Sequence, residues 1–470
     1  MESFQKLFLD IRFWIVLFFI VRLTGVTNPP LEVLHNWRQT TMTMVARNFV
    51  EIDNNILYPR LDIAGDKTGI TGMELPLLNY AVYGVSKVFG YDSWYGRLIN
   101  LLVSSIGIFF FFKLVRRYFD EKVAFYSAFI LLVSIWFGYS RKIIPETFAM
   151  SLVIIGVYYG LKFLDGKSNP GRPVHALTYG VFVGLGTLSK ISTGYILVIF
   201  LLPFFKKTIP VARKAAFAGV SAVFIFPTLI WYFYWVPFLV EKYEFWHFFM
   251  GESILVGGKA IFNNLLAVSE IFYFMALRYS GFIVFLGGLI YAVIKKKWLI
   301  LKLFCIGFFS FLIIILKAGD RFYAHSYYLI PFVPIMALVA GYGLSRIKDA
   351  RFAVLLLLAI SVEGISNQLY DFNINKKQVG ILTLEKDLDK FSSKEDLIII
   401  NSGGHPTPMY FSGRKGWILR NDELTDSEQV EALKAKNAKL VVVLKQAFGT
   451  FVDLNLPVLH DSEDYRIYKL

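Results

Sequence analysis

The sequence predicts an all-α polytopic membrane protein that ends in a small α/β domain. Of its 470 residues, 56% are hydrophobic and 17% are aromatic, and the mean hydropathy is +0.54. Only 18% are charged, against about 25% in soluble proteins. Most of these charges lie in short blocks between apolar runs. The tail, residues 365–470, differs in composition and contains short strand and helix patterns.

Eleven apolar runs predict transmembrane helices, and several are shorter than the usual ~20 residues and must be tightly flanked or tilted. They are residues 13–25, 98–115, 122–139, 147–164, 174–189, 192–205, 215–238, 271–294, 298–316, 328–345 and 352–364. The run 13–25 is expected to be retained, because no small-residue cleavage site follows it.

Basic residues follow every even-numbered run, and the positive-inside rule places those loops in the cytoplasm. They are Lys113, Arg116, Arg117, Lys122, Lys162, Lys167, Arg172, Lys206, Lys207, Arg213, Lys214, Lys295, Lys296, Lys297, Arg346, Lys348 and Arg351. The amino terminus is then cytoplasmic and the carboxy-terminal domain extracytoplasmic. These blocks also account for most of the net charge of +14, so we expect no nucleic-acid partner.

Three predicted outer segments are long: 26–97, 239–270 and 365–470. In the first, residues 31–48 and 75–89 are predicted to lie along the membrane interface, and Trp37, Met44, Val45 and Phe49 are expected to face lipid. In the second, "EKYEFWHFF" predicts an interfacial helix. In the third, "DLIIINS" and "KLVVVLK" predict strands and "DSEQVEALKAKN" predicts a helix. We therefore expect a membrane domain, 1–364, and an outer domain, 365–470.

Several classes of site are excluded or disfavoured by missing motifs. The single cysteine, Cys305, excludes a disulfide framework and a cysteine-ligated metal cluster. The six histidines are scattered, so no metal site is predicted. The sequence has no P-loop or glycine-rich nucleotide fingerprint, which argues against direct use of a nucleotide sugar.

Ionisable and polar residues cluster at the predicted outer ends of the spans, where they are costly unless they face a wet cavity or each other. Their convergence from separate loops predicts one polar site. The members are His35, Arg38, Gln39, Arg47, Arg60, Asp62 and Glu74 in the first loop, Arg141 and Glu146 after the third span, Lys190 after the fifth, and Lys317, Asp320, Arg321, His325 and Tyr327 before the tenth.

The order of several motifs resembles one family. A polar first loop leads into "MELPLLNY" and "YGRLINLLVSSIGIFFFFKLVRRYF", followed by "RKIIPETF", "GLGTLSK" and "HSYYLIPFVPIMALVAGYGL". This order is similar to the GT-C membrane glycosyltransferases, and most similar to the family 39-like branch of protein O-mannosyltransferases and lipid A aminoarabinose transferases. The similarity covers about residues 10–345, and "SGRKGW" in the tail is similar to some bacterial members.

The resemblance implies a GT-C fold and a sugar transfer from a polyprenyl-phosphate carrier to a lipid, glycan or protein acceptor. The reaction would take place at the outer face of a bacterial or archaeal plasma membrane. Such a transfer needs a general base for the acceptor proton and cations for the departing phosphate. No cofactor is expected to be required. The alternative is a divalent ion held by Glu74 and Glu146 with the lipid phosphate.

The sequence departs from the family at its usual base. Members carry an acid in the first interfacial helix, but here that stretch reads Arg38-Gln39-Thr40-Thr41. Glu74 matches the acid before the family's proline and is our predicted base, and Glu146 matches the second acid and would assist or hold a cation. Asp62 and Glu32 are the nearest substitutes. The predicted substrate-binding residues are His35, Arg38, Gln39, Arg47, Arg60, Arg141, Lys190, Arg321, His325 and Tyr327.

Most of these side chains also have a structural alternative. Glu74 and Glu146 could be helix N-terminal charges favoured by the dipole, and Lys190 could be a lysine that snorkels to the interface. Arg38 and His35 could anchor a helix to lipid phosphates. For the whole chain the alternative function is a transporter or flippase of lipid-linked sugar. A transporter should show internal repeats and ionisable residues near span centres, and neither is evident.

Overall fold

The computed structural model describes residues 7–165 and 172–470. Lys167, one of the basic residues used to orient the spans, lies outside these ranges. Within the described chain, contacts define two compact units. The helical unit comprises residues up to Val26, Arg97–Phe233 and Phe249–Tyr370. The loop–tail unit comprises Thr27–Gly96, Tyr234–Phe248 and Asp371–Leu470. The first loop and the tail, which composition assigned to separate domains, are parts of the same unit.

Each of the eleven predicted spans overlaps at least one helical segment, and their number as membrane crossings stays a prediction. The α-helices are Ile11–Arg22, Tyr95–Tyr118, Glu121–Val133, Trp136–Tyr139, Pro145–Asp165, Pro173–Ser189, Leu201–Phe204, Val211–Ile230, Val236–Tyr243, Ile254–Asn263, Leu265–Glu270, Arg278–Ile294, Trp298–Ala318, Asp320–Ala324, Val333–Ser345 and Ala350–Leu369. The 3-10 segments are Ile191–Phe200, Ser326–Phe332 and Tyr370–Phe372, and the π segments are Trp231–Trp235 and Ile271–Ala276.

The described chain is that of an integral membrane protein. Six of its helices are long and apolar enough to cross a membrane, or seven if one bent pair counts as a single span. Shorter segments can still cover much of a bilayer. Ile191–Phe200 is a 3-10 helix that rises about 2.0 Å per residue, and with Leu201–Phe204 it covers roughly 26 Å of the ~30 Å hydrocarbon core.

Small residues allow two helices of the helical unit to pack closely. A Cβ at Gly156 would lie 2.6 Å from Val183 Cγ2, and one at Gly186 would lie 2.8 Å from the carbonyl oxygen of Ala149. Helix Pro145–Asp165 therefore contacts helix Pro173–Ser189 almost backbone to backbone. Such small-residue interfaces are typical of membrane helices, whose association relies on close packing.

The segment after the seventh span differs from its prediction. "EKYEFWHFF" is not an interfacial helix, because Val236–Tyr243 ends there and Glu244 takes the left-handed conformation at φ 51°. An apolar helix pair, Ile254–Asn263 and Leu265–Ala276, begins in the predicted outer segment, extends into the predicted eighth span and is bent by 88° at the break. This pair is a broken span or a re-entrant loop, which the length of each apolar run alone did not indicate.

In the loop–tail unit, the first loop forms helices Asn36–Glu51 and Leu77–Phe89. Met44, Val45 and Phe49 were predicted to face lipid, but all three are buried within the protein. The reason is that Asn36–Glu51 is enclosed on nearly every side and presents no apolar stripe outward. Leu77–Phe89 instead buries one face and exposes Val88 and Phe89, so its interfacial position stays a prediction.

The tail forms the predicted α/β structure around a five-stranded sheet. Its strands are β1 Leu397–Ile400, β2 Gly416–Ile418, β3 Ala438–Leu444, β4 Val458–Asp461 and β5 Tyr465–Lys469, in the order β2-β1-β3-β5-β4. Strands β1, β2 and β3 are parallel, and β5 is antiparallel to both β3 and β4. The helices are Lys376–Thr383 (3-10), Leu384–Leu388, Thr407–Ser412, Asn421–Leu424 and Ser427–Ala435.

The edge strand β2 is covered by the first loop. Gly65 N donates to Gly416 O at 2.8 Å, and Gly416 N donates to Asp62 O at 2.9 Å. Gly65 has φ 61°, and a Cβ at that position would collide with the ring of Trp417. Glycine thus permits a close approach that pairs an otherwise open sheet edge.

Candidate active site

Arg38 and Glu74 form a buried ion pair in the loop–tail unit. Arg38 lies in the first turn of helix Asn36–Glu51, and Glu74 precedes helix Leu77–Phe89. Arg38 Nη2 donates to Glu74 Oε1, and each side chain is only 6% exposed. The ring of Phe248 packs 4.9 Å from the Arg38 guanidinium. The predicted base therefore lies in the protein interior with a cation beside it.

His247 adds a neutral imidazole near this pair. Burial, and after it the charge of Arg38, lower the pKa of His247 to about 4. The imidazole is therefore uncharged at neutral pH and can both donate and accept hydrogen bonds. The sequence did not indicate that His247 lies near Arg38, because "EKYEFWHFF" was predicted only to be an interfacial helix.

Arg47 and Asp62, two other predicted site residues, form a separate network. Arg47 Nη2 lies 2.7 Å from Asp62 Oδ2, and Asn48 Nδ2 donates to Asp62 Oδ1 at 2.8 Å. Arg47 Nη1 donates to the carbonyl oxygen of Tyr410 at 3.0 Å, and its guanidinium lies 4.8 Å from that residue's ring. Both carboxylate oxygens of Asp62 thus accept hydrogen bonds within the protein, and the network joins the first loop to the tail.

The charge of Arg47 is fixed by this network. Burial alone would disfavour the guanidinium, but the carboxylate of Asp62 and then Tyr410, Tyr91 and Glu51 outweigh it, so the pKa of Arg47 lies above its ordinary value. Arg47 is therefore a buried guanidinium that stays protonated. Its hydrogen bonds to Asp62 and to the carbonyl oxygen of Tyr410 stabilise the fold.

The remaining predicted residues of the first loop lie around these two pairs. Arg60 Nη2 lies 3.3 Å from Asp53 Oδ2, and Arg60 Nη1 donates to Thr68 O at 3.4 Å. Gln39 is fully buried in helix Asn36–Glu51. His35 precedes that helix in the left-handed conformation, at φ 57°. A non-glycine residue in this region stores backbone strain, which is frequent at functional sites.

In the helical unit, Glu146 and Lys190 form a second carboxylate–cation pair. Glu146 lies in the first turn of helix Pro145–Asp165 and is 1% exposed. Lys190 follows the last residue of helix Pro173–Ser189, and its Nζ lies 2.9 Å from Glu146 Oε1. The Lys190 side chain is 16% exposed. It is therefore within reach of a bound anion while the carboxylate beside it is enclosed.

Aromatic rings surround the Lys190 ammonium group. The rings of Tyr327 and Tyr328 have their centroids 5.9 and 6.0 Å from Lys190 Nζ. The ring of His325 stacks on that of Tyr327 with centroids 5.3 Å apart and planes 5° from parallel. The structure thus brings Glu146, Lys190, His325 and Tyr327 together, as the sequence predicted, and adds Tyr328.

Asn100 positions the segment that leads to Glu146. Its side-chain amide donates to the carbonyl oxygens of Tyr139, Lys142 and Ile144 at 3.1, 2.8 and 3.3 Å. Its carbonyl oxygen accepts from Thr147 Oγ1 at 3.0 Å. The sequence analysis did not single out Asn100. The available signal was a lone amide inside an apolar helix, where an unpaired polar group is costly.

Arg141 and Arg321 have different surroundings. Arg141 is buried and donates to the carbonyl oxygens of Thr24 and Gly25 at 2.5 and 3.1 Å, so it holds the end of the first predicted span. Arg321 is 52% exposed, lies 3.6 Å from Asp320 and contacts the ring of Phe249.

Part of the chain matches a known family model. The family model described as dolichyl-phosphate-mannose-protein mannosyltransferase matches residues 73–231. That stretch contains Glu74, Arg141, Glu146 and Lys190. A search of curated proteins gave no significant match.

Solved structures of low sequence identity share the fold. ArnT from Cupriavidus metallidurans in the apo state aligns with a TM-score of 0.60 at 13% identity, over 97% of this chain and 97% of that chain. The same protein bound to undecaprenyl phosphate aligns with a TM-score of 0.56 at 13% identity, over 97% and 98%.

The archaeal oligosaccharyltransferase AglB from Archaeoglobus fulgidus, in complex with an inhibitory peptide and a dolichol-phosphate, also shares the fold. It aligns with a TM-score of 0.56 at 13% identity, over 92% of this chain and 69% of that chain. The fold is therefore that of the GT-C membrane glycosyltransferases, and the resemblance predicted from the motif order is confirmed. The protein is a polytopic membrane protein with this fold, and each of its two units contains one carboxylate–cation pair with an enclosed carboxylate.

Proposed function

We propose that the protein is an integral-membrane glycosyltransferase that moves a sugar from a polyprenyl-phosphate carrier to an acceptor. The observation that carries the proposal is that two enclosed carboxylates, Glu74 and Glu146, lie within the stretch that the mannosyltransferase family model matches and that each has a cation beside it. The similar structures are described with undecaprenyl phosphate or dolichol-phosphate bound, which supports a lipid-linked donor for this chain.

In this proposal Glu74 is the general base that takes the proton of the acceptor hydroxyl or amine. An opposite charge stabilises a carboxylate and makes it a weaker base. Arg38 beside Glu74 favours the ionised carboxylate, which is the form that a general base requires. The neutral imidazole of His247 beside Arg38 leaves that charge balance intact.

Lys190 is proposed to stabilise the departing polyprenyl phosphate, and Glu146 to hold Lys190 in place. A partly exposed ammonium with a buried carboxylate behind it can accept an anion without losing its internal partner. The rings of Tyr327 and Tyr328 would pack against the sugar or the first isoprene units. Asp62 and Arg47 are assigned to the fold, because both carboxylate oxygens of Asp62 accept hydrogen bonds from Arg47 and Asn48, and Arg47 also donates to Tyr410 O.

The membrane arrangement follows the basic loops. We propose a cytoplasmic amino terminus, an extracytoplasmic tail and a reaction at the non-cytoplasmic face of a bacterial or archaeal plasma membrane. The proposal uses no cofactor. Within residues 7–165 and 172–470, no group of three or more His, Cys, Asp or Glu residues is arranged to hold a metal ion. The acceptor is a lipid, glycan or protein.

The test is sugar transfer by the purified full-length protein in detergent. A panel of polyprenyl-phosphate sugars would be supplied with membrane extract as acceptor, and wild type would be compared with Glu74→Gln and Glu146→Gln. The matched control is Glu431→Gln, which removes an exposed carboxylate of the tail. Losing a general base should lower the rate by about 10²- to 10⁴-fold, whereas the control should match wild type.

Each outcome bears on a different part of the proposal. Transfer that collapses in Glu74→Gln supports the enzyme and its base. Transfer that survives both substitutions keeps the enzyme but rejects Glu74 as the base, and Glu32 is tested next. Carrier binding without transfer from any donor would reject the enzyme in favour of a flippase.

A further inference from the structure

A polar cleft lies at the carboxyl edge of the parallel strands in the tail. It is shallow and wide open to solvent, and it is lined by Asn401, Ser402, Gly403, Asn421, Phe448, Gly449 and Thr450. These residues come from the segments that follow β1, β2 and β3. None of the proposed catalytic residues lines this cleft.

The strand order makes this edge a natural binding position. From β1 the chain runs to β2 on one side, and it returns on the other side of β1 to form β3. The segments after β1 and β3 therefore diverge and leave a crevice between them. In open α/β sheets, ligands bind at such a topological switch point, outside the carboxyl ends of the strands.

The cleft is held open by hydrogen bonds. Asn401 is almost fully buried, accepts from Leu444 N at 2.6 Å and donates to Asn421 Oδ1 at 2.9 Å and Thr450 O at 2.8 Å. Asn421 Nδ2 donates to Thr450 Oγ1 at 2.7 Å. One buried amide thus ties together the segments after all three parallel strands, so the cleft keeps its shape without a ligand.

The lining has the chemistry of a site for a neutral polyol. It offers amide and hydroxyl groups, two glycines and one aromatic ring, and it contains no charged side chain. The Thr450 hydroxyl accepts from Asn421 and retains its own O–H as a donor. The adjacent charges Arg420 and Asp422 pair with each other at 3.1 Å. The lining residues therefore offer no opposite charge to an anionic or cationic ligand.

Phe448 supplies an apolar platform in this polar cleft. It has φ 66°, a left-handed conformation that is a strained one for a bulky residue. Its ring centroid lies 4.9 Å from that of His405, whose pKa is lowered by burial to about 4, so the histidine is neutral. A ring held in this way can stack against the C–H face of a sugar while the amides and hydroxyls bind its hydroxyl groups.

We propose that this cleft binds a neutral saccharide and that it recognises the glycan part of the acceptor. The identification of that saccharide as acceptor rests on the proposed function, whereas the binding itself does not. The tail would then select the acceptor, and the carboxylate–cation pairs would carry out the transfer.

The test uses saturation-transfer NMR on the full-length protein in lipid nanodiscs, with methyl glycosides of glucose, galactose, mannose, N-acetylglucosamine and arabinose. Each is supplied at about 10 mM, above the ~1 mM Kd expected of a few hydrogen bonds and one stacked ring. We expect transfer to at least one glycoside. Phe448→Ala should weaken it by about fivefold to tenfold, and Thr450→Val should weaken it as well.

The matched control is Phe451→Ala. Phe451 is 45% exposed, three residues from Phe448, and its ring contacts Arg466 and Lys445 instead of lining the cleft. This variant should bind within about twofold of wild type. Thr450→Val keeps the test valid if Phe448→Ala does not fold, because it replaces one exposed hydroxyl by a methyl group and Asn421 Nδ2 can still donate to the carbonyl oxygen of Thr450.

Two results would overturn the cleft proposal: no saturation transfer to any glycoside, or transfer that is the same in wild type, Phe448→Ala and Thr450→Val. Sugar transfer by wild type without glycoside binding in the cleft would overturn this proposal and leave the enzyme intact. Binding in the cleft without sugar transfer would overturn the proposed function and leave the saccharide site.

Discussion

Replacing Asp62 by asparagine distinguishes a structural role of this carboxylate from a catalytic one. Asparagine keeps an oxygen for Asn48 but presents no negative charge to Arg47, which lies 2.7 Å from Asp62 Oδ2 in the native protein. If Asp62 holds the fold, the substitution should destabilise the loop–tail unit and leave the chemical step nearly unchanged.

The magnitude follows from the burial of the pair. Removing one partner of a buried ion pair costs about 3–5 kcal/mol, because the other charge is left uncompensated. Glu51 lies 3.8 Å from Arg47 and is more than half exposed, so it offsets up to about 1 kcal/mol. We therefore expect a loss of about 3 kcal/mol. At roughly 2–4 °C per kcal/mol for a unit of this size, the midpoint of unfolding should fall by about 6–12 °C.

The assay is thermal unfolding of the purified protein, followed by tryptophan fluorescence, together with sugar transfer well below the midpoint. Asp66→Asn, an exposed aspartate in the same loop, is the control and should unfold like wild type. The double variant Asp62→Asn with Arg47→Met should recover much of the loss, because no unpaired charge remains. An unchanged midpoint with transfer reduced about a hundredfold would refute the structural assignment and restore Asp62 as a catalytic candidate.

Three further predictions concern the two carboxylate–cation pairs. Lys190→Met should raise the apparent KM for the lipid donor by about 10- to 100-fold, the scale of one charge-assisted hydrogen bond. Initial rates measured against donor concentration test this, and an unchanged apparent KM would contradict it. The pKa of His247 is about 4 in the folded protein and about 6.5 in the unfolded chain, so the unfolded chain binds the proton first as the pH falls. The free energy of unfolding should therefore decrease between pH 6.5 and pH 4, by up to about 3 kcal/mol. The unfolding midpoint should fall less over this range in His247→Gln than in wild type. Asn100→Ala should leave three carbonyl oxygens without their hydrogen-bond donor and lower the free energy of unfolding by about 3 kcal/mol. It should also slow sugar transfer about tenfold by displacing Glu146. Normal transfer in a destabilised variant would show that the position of this segment does not affect the reaction.

Local patterns in the sequence determined the class of the protein and the positions of its helices. The eleven apolar runs overlap helical segments, because membrane helices must satisfy their backbone hydrogen bonds internally and expose apolar side chains to lipid. They did not indicate the bent pair Ile254–Asn263 and Leu265–Ala276. In the tail, "LIII" and "VVVL" predicted buried strands correctly. The motif order led to the GT-C fold. Glu146, Lys190, His325 and Tyr327 were predicted to belong to one site because all four lie at the predicted outer ends of spans.

Only the tertiary structure determined which charged side chains form ion pairs with each other. Arg38 pairs with Glu74, 36 residues away, and Arg47 contacts Tyr410, 363 residues away. Periodicity and hydropathy report only on neighbours in the chain, so they grouped Arg38, Arg47, Asp62 and Glu74 as one set of candidates. The fold divides that set into one enclosed pair at the proposed base and one network that joins the first loop to the tail, because burying a charge requires a specific partner in space.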